Sequence, residues 1–60
     1  MTLEDLRKEI KKEAHYVDVK SYSHNIISIA LQSIDRQFGT EEANRAVRDF
    51  KLERLGWSQQ

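Results

Sequence analysis

The chain has no cysteine and no proline, two glycines and five aromatic residues. It also has no net charge, and no stretch nears the roughly eighteen apolar residues of a membrane span. Each absence excludes something. Without cysteine there is no disulfide, no thiolate nucleophile and no cysteine-ligated zinc, a usage that suits a reducing compartment. Ten basic and ten acidic residues cancel, so no whole-molecule field draws the chain to nucleic acid or to an anionic membrane. The two glycines, Gly39 and Gly56, lie in no phosphate-cradling loop. The opening residues Glu4 and Asp5 are acidic where a signal peptide needs a basic start and an apolar run, so the expected location is the cytoplasm.

What is present is a chain of sixty residues with 38% hydrophobic and 33% charged side chains in periodic order. That is enough for one domain, spanning 1–60, with little surplus. A domain this small buries only about 60% of the surface its unfolded chain exposes, and without disulfides the usual supplement is oligomerisation or docking on a partner.

Three helical segments carry start signals. Thr2 with Asp5 reads as a capping box, with Met1 and Leu6 as its hydrophobic staple, and Leu3, Leu6, Ile10, Ala14 and Val17 share a stripe opposite Lys8, Lys11 and Lys12. Glu4 and Lys8 are spaced as a supporting ion pair. The alternation of β-branched and polar residues predicts an extended connector over 17–22. Ser23 is the expected cap of the second helix, stapled by Tyr22 and Ile27, and Gly39 is its expected stop. Thr40 then caps a third helix whose first turn holds Glu41 and Glu42, where the helix dipole favours negative charge. Ala43, Ala46, Val47 and Phe50 share one face of that helix, whereas Leu52 and Leu55 break its phase. The simplest resolution ends regular helix near Lys51 and folds Leu52, Leu55 and Trp57 back onto the core. The expected fold is all-α, a compact three-helix bundle with a tight corner between helices two and three and a C-terminal fold-back turn.

Catalysis finds no support in the residues. His15 and His24 lack the spacing and the adjacent base of a zinc-hydrolase helix, and read as surface or capping residues. The serines and threonines read as caps or helix-surface residues, and sixty residues leave little room for a pocket of the ~300 Å³ that small-molecule sites need. No enzyme activity, cofactor or metal is expected.

Binding is better supported. Read as a helix, residues 24–38 place Ile27, Ala30, Leu31, Ile34 and Phe38 on one face, while Ile26 and Ile29 spill over its edge beside Ser33 and Arg36. The edge Ile26, Ile29, Ser33 and Arg36 is therefore the candidate partner-binding surface of a non-catalytic protein-interaction module. Self-association into a homo-oligomer is the simplest version, because one apolar patch meeting its own copy closes the surface. The alternative is a small DNA-binding regulator contacting phosphates through Arg45, Arg48 and Lys51 of helix three. Against it, Glu41, Glu42, Asp49 and Glu53 are interleaved with these cations, Glu41 at pairing distance from Arg45 in sequence. Helix-turn-helix proteins also tend to have a small residue four before the turn glycine and apolar ones six and nine after it. Here those positions hold Asp35, Arg45 and Arg48.

Overall fold

Thr2 opens the first helix as its sequence implies. Its hydroxyl accepts from the Asp5 amide at 3.1 Å, and the Asp5 carboxylate accepts from the Thr2 amide at 3.2 Å. The Thr2 amide, and then the Thr2 hydroxyl, hold the Asp5 carboxyl below its ordinary value. In the computed structural model, which describes residues 2–19 and 21–59 and Ser21 by its backbone alone, this cap leads into α1 (Leu3–Ala14). The helices α2 (Ser21–Phe38) and α3 (Thr40–Asp49) follow, and then a 3-10 turn (Leu52–Leu55), with no strand among the described residues. Met1, half of the expected staple, lies outside the described residues.

At its 1.5 Å rise per residue, α2 is about 27 Å long, close to the 29 Å longest dimension of the molecule. α1 packs on one flank of α2 and α3 on another. The core is built from Leu6 and Ile10 of α1, Ile27, Ala30 and Ile34 of α2, and Ala43, Ala46 and Val47 of α3, closed by Leu52. Burying each large aliphatic side chain contributes about 1.5–3 kcal/mol. A second link joins α1 to the end of α3. The Arg7 guanidinium meets the Asp49 carboxylate at 2.7 Å and lies 5.0 Å from the centroid of the Phe50 ring.

The connector between α1 and α2 is wound, not extended. The amide of Tyr16 donates to the Glu13 carbonyl, and that of Val19 to the Tyr16 carbonyl, each at 2.9 Å, so the chain keeps turning past the end of α1. Lys20, within the expected connector, lies outside the described residues. Because α2 starts at Ser21, Ser23 falls inside the helix and is not its cap. The Ser23 side chain is fully buried and its hydroxyl donates to Glu13 Oε1 at 2.9 Å. Glu13 is itself buried, so each of these polar groups satisfies the other where water does not reach. Tyr22 lies on the outside of the first turn instead of stapling to the fully buried Ile27.

Gly39 alone joins α2 to α3. Its φ of 102° is the positive value that glycine permits, though its ψ of 157° is extended and not left-handed helical. One such residue suffices to reverse the chain. α3 therefore begins one position earlier than expected, and Thr40 is its first helical residue and not its cap. The Thr40 hydroxyl instead donates back to Asp35 Oδ1 at 2.6 Å, fastening the corner. The turn also directs Phe38 outward, and it is 40% exposed where the sequence placed it in the core.

Helix α3 stops at Asp49, slightly before the expected end, because Lys51 takes a left-handed conformation with φ 55°. The 3-10 turn then reverses the phase of the apolar residues as anticipated. The Gly56 amide donates to the Glu53 carbonyl at 3.3 Å and the Trp57 amide to the Leu52 carbonyl at 3.1 Å, a Schellman closure with glycine at its left-handed position. Leu52 is consequently fully buried, and Leu55 and Trp57 pack against the core from its rim.

Two stability outcomes follow from this return. Leu52→Ala should cost about 2–5 kcal/mol, most of what a domain this small possesses, and thermal unfolding followed by circular dichroism should show the loss of cooperativity. Lys51→Gly should be neutral to stabilising by up to about 1 kcal/mol, because glycine removes the left-handed steric penalty. A clear loss in that variant would assign the Lys51 side chain a role beyond its backbone.

Candidate interaction surface on helix α2

The composition of α2 differs sharply from that of its neighbours. Eight of the twelve residues of α1 are charged, but Asp35 and Arg36 are the only charged residues among the eighteen of α2. Ser23, Ile27, Ala30 and Ile34 turn towards the core and are buried. At 100° per residue, Tyr22, Ile26, Ile29, Ser33 and Arg36 form a separate stripe centred about 110° from that core direction. Along it Tyr22 is 53% exposed and Ile29 63% exposed, Arg36 is exposed, and Ile26 and Ser33 are half-buried.

All four residues of the expected edge thus fall on one surface strip, with Ile29 and Arg36 exposed and Ile26 and Ser33 half-buried. Tyr22 belongs to the same strip and was missed because it had been assigned to a staple. Its position four residues before Ile26 was the available signal. The spacing along the strip is four, three, four, three, the alternation of a seam that packs against another helix. The Asn25, Gln32 and Gln37 positions flanking it are uncharged.

The opposite side of α2 is occupied by the C-terminal tail. The Trp57 indole stacks on the His24 imidazole with centroids 4.2 Å apart and planes 22° from parallel, and its Nε1–H donates to Ser28 Oγ at 3.2 Å. His24 is thus a stacking platform, a role its sequence position did not reveal. Trp57 is half-buried, less shielded than the fold-back alone suggested. Beside it lies an open groove of about 200 Å³ between α2 and α3, lined by residues including Leu31, Asp35, Asn44 and Trp57. That volume is below the ~300 Å³ typical of small-molecule sites. Among the described residues no three His, Cys, Asp or Glu side chains group to hold a metal ion.

The three cations considered for nucleic-acid contact do not share a helix. Arg45 and Arg48 lie on α3, but Lys51 falls beyond its end, after the left-handed break, as does Arg54. Arg45 lies 4.0 Å from Glu42, where the sequence had suggested Glu41, and Arg48 donates to Gln59 Oε1 at 3.2 Å. The single-residue corner also differs from the three- or four-residue turn of a helix-turn-helix unit. No protein-family model, no curated protein and no solved structure matches this chain.

The tail contact is open to a direct measurement. Ser28→Ala and Trp57→Phe both remove the Trp57–Ser28 hydrogen bond, so their combined loss of stability should fall short of the sum by about 1 kcal/mol. Strict additivity in chemical denaturation would mean that the bond contributes nothing.

Proposed function

We propose that this chain is a non-catalytic interaction module of the cytoplasm that docks through the outer stripe of α2, with a second copy of itself as the simplest partner. The observation that carries this reading is the 63% exposure of Ile29 in a helix with only two charged residues among its eighteen, although one third of the chain is charged. A solvated helix face normally carries the charged residues, as α1 does here. A stripe whose only charge is Arg36 at one end is suited to burial in an assembly. The small size of the domain supports the same conclusion, since covering the stripe adds apolar burial that sixty residues do not supply internally. The absence of cysteine fits the proposed compartment, and no helix is long and apolar enough to cross a membrane among the described residues.

Nucleic-acid contact through Arg45, Arg48 and Lys51 is the weaker reading. Only two of these cations lie on α3, and an acidic residue adjoins one of them. Weak, steeply salt-dependent binding to arbitrary duplex DNA would revive it.

Ile29→Glu tests the leading reading. Sedimentation across a concentration series should show the wild type associating and the variant monomeric with its helical signal intact, because a carboxylate does not remain in an apolar contact without partners. A variant that loses its helical signal as a monomer would make Ile29 a core residue and overturn the account of the stripe. A wild type monomeric at every concentration would remove self-association and leave only a foreign partner.

A further inference from the structure

We infer that the His24–Trp57 stack is a proton-responsive latch, in which a charge on the imidazole tightens the C-terminal tail against α2. The latch lies apart from the outer stripe and does not rest on any assembly through it.

The tail beyond Gly56 is a short strap with a hinge at its root. Gly56 has a φ of 112°, and nothing lies within 4 Å of the point where a side chain on it would begin. Past it the chain is held by few contacts. Trp57 stacks on His24 with centroids 4.2 Å apart, donates to Ser28 Oγ at 3.2 Å and packs on the rim of the core, and Gln59 Oε1 accepts from Arg48 at 3.2 Å. Trp57 is only half-buried, and a segment so lightly held opens at a much smaller cost than the core unfolds. Of these contacts only the stack contains a group whose charge changes between pH 5 and 8.

The geometry sets the sign of the response. With its Nε1–H tied to Ser28 and its plane 22° from that of the imidazole, the indole presents its face, the negative pole of the ring, to His24. A neutral imidazole stacks there through dispersion. Protonation turns the same ring into a cation over that face and adds an attraction the neutral ring lacks. His24 is exposed, so docking of the tail does not take the charge out of water.

The surrounding charges leave this sign unchanged. The tail residues Trp57, Ser58 and Gln59 bring no ionisable side chain. On α2 the charged residues are Asp35 and Arg36, which begin about 16 Å further along the helix at 1.5 Å per residue, beyond a Debye length. Glu13 on Ser23, His15 and Asp18 of the connector, Arg48 of α3, and Glu53 and Arg54 of the 3-10 turn belong to parts of the chain before the hinge, as does the N-terminal end of α2. These groups act on the imidazole whether the tail is docked or open, and so cancel from the coupling. What docking adds is the indole face. Because Trp57 and Ser58 also line the groove between α2 and α3, uptake of a proton by His24 closes that end of the groove and its loss loosens it.

Trp57→Leu tests the latch, since it removes the indole and keeps an apolar side chain. The folding constants of wild type and variant are measured by chemical denaturation followed by circular dichroism, and their ratio cancels the titrations the two share. That ratio should be about two- to five-fold larger at pH 5 than at pH 8. In a His24→Phe background, which keeps a ring to stack on but takes up no proton, it should not change, and this comparison also sets aside the second imidazole, His15. If Trp57→Leu does not fold, the acrylamide quenching rate constant of Trp57 in wild type and in His24→Phe supplies the same comparison. It should fall towards acid pH in the wild type alone. A ratio or quenching constant that does not respond to pH, or responds with the opposite sign, would overturn the latch. An equal response with and without His24 would also overturn it, by placing the titrating group elsewhere.

Discussion

A helix has only so much circumference, and the way α2 spends it governs the rest of this molecule. α1 takes one flank and α3 with the C-terminal tail takes another, and between them they bury Ser23, Ile27, Ala30 and Ile34. Among the described residues no further helix or strand covers the remaining side. In most small bundles that side carries charge and interacts with water. Here it carries Tyr22, Ile26 and Ile29, so the same limit that makes the core small also makes the outer stripe available.

The core itself depends on a reversal at each end. Gly39 turns the chain in one residue, and the Thr40–Asp35 hydrogen bond holds the resulting angle. At the other end, Lys51 and Gly56 take positive φ values on either side of the 3-10 turn, which brings Leu52 under the helices. Neither reversal uses proline, and the non-glycine residue at φ 55° indicates that burying Leu52 outweighs a backbone conformation that lysine disfavours.

Much of this was legible in the residues. The Thr2–Asp5 box, the stop at Gly39 and the phase break at Leu52 are local signals with local causes, and each appears where it was read. The reading failed where tertiary contacts overrode local preference. Ser23 has the chemistry of a cap, yet a buried Glu13 ten residues earlier claims its hydroxyl, and nothing in the spacing announces a pair formed across two helices. Phe38 has the periodicity of a core residue but lies at the end of its helix, where the corner points it outward. For the stripe, the apolar excess of Ile26 and Ile29 was visible, whereas the inclusion of Tyr22 required knowing that α2 begins at Ser21.

The position of the single tryptophan ties one optical signal to one side of α2. Trp57 rests on His24 and Ser28, which project from α2 roughly 120–160° away from the centre of the outer stripe at 100° per residue. Its fluorescence therefore responds to docking of the tail and to unfolding. The molecule thus carries an intrinsic optical label for its own fold, set apart from the outer stripe around the circumference of α2.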